Sequence, residues 1–139
     1  MRTGLTIPDL GDFVALPLLG VLATYRRDGT VLLSPVWHEY RDGGFNICTD
    51  SNGGKAKHLR RDPRAVLVIA EAAPPYRGLE LATEAKFVND DLPATIKRVA
   101  TRYLGDEGAE RYAEAPPDDI IVRLEPGRIR AWDFADEWG

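Results

Sequence analysis

The first half of the chain alternates between apolar and polar residues, and short polar turns separate the alternating segments. Residues 20–25, 30–38 and 45–49 carry this pattern, which is typical of strands that bury one face. The Asp-Gly pair at 28–29 is a strong hairpin signal, because both residue types tolerate the backbone of a tight turn. A second turn is predicted at residues 41–44 (Arg-Asp-Gly-Gly). The pattern therefore predicts three consecutive strands that form an antiparallel meander.

The strand predicted at residues 30–38 has two different faces. One face carries Val31, Leu33, Pro35 and Trp37, and the other carries Leu32, Ser34, Val36 and His38. Pro35 has no backbone N–H to donate to a neighbouring strand. This strand is therefore expected at the edge of a sheet or at a bulge.

The second half of the chain mixes strands with helices. Further strands are predicted at residues 65–70, 79–88, 120–124 and 129–134. One helix is predicted from an apolar stripe at helical spacing, formed by Leu92, Ile96, Val99, Ala100, Tyr103 and Leu104. Gly105 is expected to end this helix, and a weaker helical stretch follows at residues 107–114. Shorter helices are predicted at residues 9–19 and at 55–62, ahead of Pro63.

These elements predict an α+β fold that is mainly β, a barrel of six or seven antiparallel strands with one late inserted helix. The length of 139 residues fits a single domain over residues 1–139. A dinucleotide-binding Rossmann fold is not expected. Its Gly-x-Gly-x-x-Gly turn is missing, and the strands do not alternate with helices.

Composition narrows the function classes. The net charge of −4 disfavours general binding of nucleic acid, because phosphate backbones attract basic surfaces. A small barrel that binds oligonucleotides is kept as a further hypothesis, which salt-dependent binding to single strands would test. No apolar run reaches the ~20 residues of a membrane span, and the first residues lack the apolar core of a secretion signal, so a cytoplasmic protein is expected. The single cysteine, Cys48, cannot form an internal disulfide and is expected to be an inert strand residue.

A basic cluster stands out against this acidic background. Residues 55–64 contain five Lys or Arg residues and one Asp. Gly53 and Gly54 precede the cluster and allow close approach of a ligand to the backbone, and the helix start supplies free N–H groups. Lys55 and Lys57 add positive charge there, so the segment fits a phosphate cradle as well as a solvated helix face. Ser51 and Thr49 offer hydroxyls nearby, but the spacing is not that of a Walker A loop.

Three segments in order resemble the pyridoxamine 5'-phosphate oxidase-like split β-barrel family, in its flavin- and deazaflavin (F420)-dependent branch. Residues 20–29 are similar to the opening hairpin, and residues 34–37 to the strand whose backbone lies along the isoalloxazine ring. Residues 55–64 resemble the family segment K-x-[RK]-x-L-x-x-[DN]-P, whose first basic residues hold the cofactor phosphate. The likeness covers about residues 18–134, taken as the core of the domain.

The resemblance implies an FMN-binding split-barrel-like fold and a homodimer with the cofactor at the subunit interface. It implies hydride transfer from reduced F420 to a small organic acceptor. The cofactor-binding residues it implies are Leu33, Ser34, Pro35, Val36, Trp37, Thr49, Ser51, Lys55, Lys57 and Tyr76. Two alternatives remain: an FMN-dependent oxidase or reductase of the same fold, and a flavin or deazaflavin carrier without turnover. No catalytic side chain is assigned, no metal is expected, and no partner other than the acceptor and a second copy is implied.

Overall fold

The computed structural model of the protein describes residues 1–113 and 118–138. In chain order, the strands of this part are β1 (Gly20–Tyr25), β2 (Val31–Val36), β3 (Glu39–Arg41), β4 (Gly44–Asp50), β5 (Arg64–Ala70), β6 (Gly78–Glu84), β7 (Lys86–Val88), β8 (Asp119–Leu124) and β9 (Arg128–Trp132). Its α-helices are α1 (Gly54–Arg61), α2 (Leu92–Ala113) and α3 (Ala135–Trp138). No helix among these residues is both long and apolar enough to cross a membrane.

The strands form two antiparallel sheets, as expected for a split barrel. The five-stranded sheet has the order β2-β1-β5-β6-β9, and the four-stranded sheet has the order β3-β4-β8-β7. The chain passes between the sheets twice with almost no connecting loop, at Trp37-His38 between β2 and β3 and at Ala85 between β6 and β7. The α+β, mainly β prediction is confirmed.

The core lies between the two sheets. Fully buried residues from both sheets meet there, namely Leu22, Leu67, Leu79, Leu81, Phe45, Ile47, Val122 and Leu124. Each such side chain contributes about 1.5–3 kcal/mol through burial. On β2 the face of Leu32, Ser34 and Val36 is the more buried one, the face of Val31, Leu33 and Pro35 is exposed, and Pro35 lies on an edge strand as expected.

Residues 45–49 do not join the first hairpin as a meander, so that prediction is wrong. They lie in β4, which pairs with β3 and β8 in the other sheet. The backbone N–H of His38 donates to the hydroxyl of Tyr103, at 3.1 Å, and not to a neighbouring strand. This bond interrupts the ladder where the chain leaves the first sheet. Because residues 30–41 and 79–88 each divide between the sheets, the described part has nine strands where six or seven were predicted.

Helix α2 is broken at Gly105, which has φ 76° and ψ 177°. The prediction that Gly105 ends the first helical stretch is confirmed, and the second stretch follows directly. Leu104 was expected in the buried stripe but is 44% exposed, because the chain turns away from the sheet at the next residue.

The helix predicted at residues 9–19 is wrong. The segment forms two short 3₁₀ turns, Pro8–Leu10 and Phe13–Ala15, separated by Gly11 with a positive φ of 65°. Arg77 and Arg102 donate to backbone carbonyls of this segment, including those of Leu10 and Val14. These guanidinium bonds satisfy carbonyls that a continuous helix would have used internally.

Candidate functional site

A cavity of about 230 Å³ lies where the end of β2, the strand β4 and the start of α1 meet. We call it the strand–helix cavity. It is lined by Pro35, Val36, Trp37, Cys48, Thr49 and Lys55. The sheet crossover after β2 places Trp37 against residues of the other sheet, so both sheets contribute to the wall.

The first turn of α1 opens onto this cavity with uncapped backbone donors. Gly53 is the N-cap, and no side chain in the described part of the protein bonds to the cap. The first bond of the helix runs from the N–H of Lys57 to the carbonyl of Gly53, at 3.1 Å. The N–H groups of Gly54, Lys55 and Ala56 therefore precede the internal bonding of the helix. Together with the half-buried Lys55 ammonium, they create a locally positive end that suits an anion.

A side chain at the N-cap position, Gly53, would have little room. A Cβ on Gly53 would lie 3.3 Å from the carbonyl oxygen of Asp50, to which the N–H of Gly53 donates at 3.0 Å. That distance is tighter than most Cβ contacts, so the carbonyl of Asp50 would have to shift by a few tenths of an ångström to accommodate a side chain in the turn that leads from β4 into α1. The turn thus fixes the start of α1 relative to Thr49.

Helix α1 is fixed against the five-stranded sheet. Its Ala56 and Leu59 are buried. The Nδ1 atom of His58 lies 3.0 Å from the hydroxyl of the buried Thr24 on β1. The guanidinium of Arg61 donates to the carbonyl of Tyr25 at the end of the same strand. These contacts hold the helix start in place beside β2.

Trp37 forms the aromatic wall of the cavity. Its ring stacks on Tyr103 of α2 with centroids 5.1 Å apart and planes at 6°. The ring of Tyr112 lies at 6.0 Å, tilted by 47°. Two aromatic contacts from the same helix therefore restrict the indole, whose other edges remain available to a ligand.

A hydrogen-bond network behind Trp37 fixes this stack. The hydroxyl of Tyr103 donates to the carbonyl of Leu18 at 2.8 Å and accepts from the N–H of His38 at 3.1 Å. The Nδ1 atom of His38 also lies 3.1 Å from that hydroxyl. Burial, assisted by the nearby charge of Arg102, lowers the pKa of His38 to about 4. The imidazole is therefore neutral at physiological pH and acts here as a structural group.

An ion pair ties the first stretch of α2 to the four-stranded sheet. The guanidinium of Arg98 contacts both carboxylate oxygens of Glu39, at 2.9 and 3.0 Å, and Asn46 donates to one of them at 2.8 Å. Burial alone would raise the pKa of Glu39, but the bonds from Arg98 and Asn46 outweigh burial and lower it. The helix that carries Tyr103 is thus anchored by a charged, two-point contact.

Cys48 faces the cavity as a protonated thiol. Burial, reinforced by the charges of Asp119 and Glu39, raises its pKa to about 12. Only the thiolate is strongly nucleophilic, so this cysteine is not suited to covalent chemistry. Its contribution is a small, polarisable surface beside Thr49.

Five of the ten cofactor-binding residues predicted from the sequence line the strand–helix cavity. They are Pro35, Val36, Trp37, Thr49 and Lys55. Leu33 lies on the outward face of β2 and is 65% exposed, while Ser34 is half-buried on the opposite face. Ser51 lies in the turn before α1, where its N–H donates to the carbonyl of Asp118. Lys57 is exposed two residues after Lys55, so the two lysines do not share a face of the helix.

Tyr76 lies apart from this cavity. It precedes β6 and packs edge-on against Phe134, with ring centroids 6.4 Å apart. Phe134 follows β9, whereas the cavity adjoins β2 at the opposite edge of the same sheet. The assignment of Tyr76 to a cofactor therefore remains a prediction that requires a second copy of the chain to bring the ring to a cavity.

Sequence reasoning missed Cys48 and Tyr103 as parts of the site. Cys48 was interpreted only as a strand residue, although it directly precedes a residue assigned to the ligand. Tyr103 was interpreted only as a member of the apolar helix stripe. Its hydroxyl was a signal, since a buried tyrosine needs a hydrogen-bond partner and often fixes a neighbouring loop. Within residues 1–113 and 118–138, no group of three or more His, Cys, Asp or Glu side chains is arranged to hold a metal ion.

Comparison with known proteins agrees with this geometry. The family model described as pyridoxamine 5'-phosphate oxidase matches residues 8–133. A search of curated proteins gives no match.

Solved structures with the same fold differ in what they bind. A conserved hypothetical protein from Mycobacterium tuberculosis has a TM-score of 0.76 at 29% identity, over 94% of this chain and 86% of that chain. An F420 reductase has a TM-score of 0.70 at 22% identity, over 85% of this chain and 93% of that chain. The heme storage protein HutZ from Vibrio cholerae has a TM-score of 0.70 at 17% identity, over 91% of this chain and 94% of that chain. At such identities, the last two similarities establish the fold alone.

Proposed function

Because the chain belongs to the pyridoxamine 5'-phosphate oxidase family, we propose that it is an oxidoreductase that binds the deazaflavin F420 in the strand–helix cavity. It would transfer a hydride from the reduced cofactor to a small organic acceptor. The observation that carries the proposal is one cavity with an aromatic wall, Trp37, and a cationic helix start, Lys55. These are the two surfaces that a phosphate-bearing tricyclic cofactor needs.

The residues present fit such a cofactor. The uncapped N–H groups at the start of α1 and the Lys55 ammonium would hold a phosphate, with Lys57 adding charge at longer range. The backbone of residues 33–37 and the side chain of Thr49 would lie along the ring system. When bound and reduced, the cofactor supplies a hydride, so the acceptor gains two electrons and one proton and takes a second proton from water.

The protein contributes position and exclusion of water, and no side-chain acid or base is required. Trp37 is fixed by its stack on Tyr103 and would cover one part of the ring system. Cys48 stays protonated and would neither attack the cofactor nor add charge beside it. A rigid, largely uncharged wall beside a reactive ring favours direct hydride transfer over side reactions with water.

We also propose that two copies of the chain assemble with the cofactor between them. Strand β2 is a sheet edge, and its outward face carries the exposed apolar side chains of Val31, Leu33 and Pro35. Pro35 belongs both to this face and to the strand–helix cavity. A partner on β2 would therefore close the open side of the cavity and bury the exposed leucine.

Heme storage, the function of one protein with this fold, is less well supported here. The chain has two histidines, and a histidine is a common protein ligand to heme iron. His38 is buried against Tyr103, and His58 lies against Thr24, so neither one lines the strand–helix cavity.

Parallel titrations with F420 and with FMN, followed by fluorescence, test the proposal. F420 should bind more tightly than FMN. Lys55→Ala should weaken F420 binding about 10- to 100-fold, since a charge-assisted hydrogen bond contributes about 1.5–3 kcal/mol. Lys86→Ala on β7 removes the same charge away from the cavity and serves as the matched control.

Other outcomes redirect the proposal or end it. Tight FMN binding with weak F420 binding would keep the site and replace the cofactor. Binding of either cofactor without loss in Lys55→Ala would place the phosphate elsewhere. If the holoprotein does not oxidise reduced F420 with any of a panel of acceptors, a carrier role replaces catalysis. No binding of either cofactor refutes the proposal.

A further inference from the structure

A larger cavity, of about 490 Å³, lies in the bend of α2. We call it the α2 cavity. The break at Gly105 turns the second stretch of the helix back beside the first, so that residues of both stretches face one space. Its apolar wall is formed by Pro93, Ile96, Ala100 and Ala109. The two alanines are buried, and their small side chains leave the space between the helical stretches unfilled.

The rim of the α2 cavity is charged. Lys97 comes from the first stretch of the helix, and Asp106 and Glu110 come from the second. All three are exposed. Two carboxylates against one ammonium give the mouth a net negative charge, which disfavours entry of an anion and leaves an uncharged molecule unaffected.

A small void of about 20 Å³ lies between the α2 cavity and the strand–helix cavity and shares lining residues with each of them. Trp37 and Cys48 line both this void and the strand–helix cavity. Ile96 and Ala100 line both the void and the α2 cavity. Trp37 and Cys48 therefore stand between the strand–helix cavity and the void, and Ile96 and Ala100 stand between the void and the α2 cavity. Tyr112 lines the void itself.

We infer that the α2 cavity binds a small, uncharged, largely apolar organic molecule, and that this molecule is the hydride acceptor of the proposed reaction. The inference rests on the proposed function for the role of acceptor. The volume lies in the range of small-molecule sites, which is ~300–1,000 Å³, and the wall is apolar as such sites usually are. Only the small void and the side chains that line it lie between this space and the candidate cofactor cavity, so the void is where the two ligands would have to meet for hydride transfer. Because Trp37 is held by Tyr103, contact between the two ligands would require Tyr112, which lines the void and is 37% exposed, and the side chain of Ile96 to move.

Two naphthalene dyes of different charge probe the site. Prodan is uncharged and 1-anilinonaphthalene-8-sulfonate is an anion, and both fluoresce more strongly in an apolar pocket. The wild-type protein should bind prodan at least ten times more tightly than the anionic dye. Ala109→Phe fills the α2 cavity without altering either neighbouring space and should weaken prodan binding at least tenfold. Ala94→Leu, on the same helix but outside the cavities described, should leave binding unchanged.

A rim variant keeps the test independent of packing changes. Glu110→Lys at the exposed mouth makes the net charge of the rim positive and should raise the affinity for the anionic dye several-fold, with little change for prodan. If Ala109→Phe does not fold, an unchanged dye preference in Glu110→Lys overturns the inference by itself. Absence of prodan binding to the wild-type protein also overturns the inference. This includes the case in which a second copy of the chain covers the cavity and keeps the dye out.

The role as acceptor site is tested in the holoprotein. Bound F420 should quench bound prodan, because the two would occupy neighbouring cavities. Lys55→Ala should shift the quenching to about 10- to 100-fold higher F420 concentrations while prodan still binds. Binding of both without quenching refutes the acceptor role. If prodan binding depends on Ala109 but neither F420 nor FMN binds, the site stands and the proposed function fails. If a cofactor binds and prodan does not, the proposed function stands and the inference about the α2 cavity fails.

Discussion

Acidification should destabilise the fold through His38. This side chain is only 1% exposed, and its pKa is lowered from 6.5 to about 4, first by burial and second by Arg102. Between these values the unfolded chain binds a proton that the folded protein excludes. Stability is therefore complete above about pH 6.5 and falls as the pH decreases towards 4. With one pKa unit equal to about 1.4 kcal/mol, the full loss from this group is about 3 kcal/mol.

The measurement compares urea unfolding of the wild-type protein with that of His38→Gln from about pH 7 down to about pH 4. Glutamine can still contact the hydroxyl of Tyr103 but does not titrate. Carboxylates titrate in both proteins, so their contributions cancel in the difference between the two free energies of unfolding. This difference should favour the wild type near neutral pH and shift by about 3 kcal/mol against it at the acidic end. A difference that stays constant with pH would show that His38 is not held neutral, and the account of its burial would be wrong.

Three further predictions concern the surroundings of the site. Tyr103→Phe keeps the stack on Trp37 but removes the hydroxyl that bonds the carbonyl of Leu18 and the N–H of His38. Urea titration should show a free energy of unfolding that is lower by about 1–3 kcal/mol, with an unchanged m-value. Gly105→Ala places a side chain at φ 76° and ψ 177°, a region almost restricted to glycine, and should lower the free energy of unfolding by about 1–3 kcal/mol. The control Glu107→Ala, two residues later, should change it by less than about 0.5 kcal/mol, and equal effects of the two substitutions would contradict the strain argument. Cys48, with a pKa of about 12, should resist iodoacetamide at neutral pH until denaturant is added, and rapid labelling of the folded protein would contradict the assigned protonation state.

Local signals in the sequence predict the strands and most of the turns. Alternation separates the two faces of β2, although Val31 and Leu33 lie on the exposed face, and Pro35 correctly indicates an edge. The division of residues 30–41 between two sheets is not determined locally, because the N–H of His38 donates to Tyr103, which lies 65 residues further along the chain. A window of a few residues contains no information about that partner. For this reason the predicted meander is wrong although its individual strands are correct.

The candidate site shows the same limit. Lys55 and Trp37 were recognisable because their segments carry a charge cluster and a family-like strand. Their meeting in one cavity depends on how β2 and β4, which belong to different sheets, pack against each other. The exposure of Leu104 and the space opposite Ala109 depend on the angle at Gly105, which periodicity cannot predict.

The crossover at Trp37-His38 also has a mechanical consequence. A molecule in the strand–helix cavity would touch β2 of one sheet and β4 of the other. It would therefore hold the two sheets together at a place where the chain itself links them only through Trp37-His38. Opening of either layer would then require the ligand to leave first. Binding should consequently slow amide hydrogen exchange in both sheets together, including strands such as β8 that the ligand does not reach.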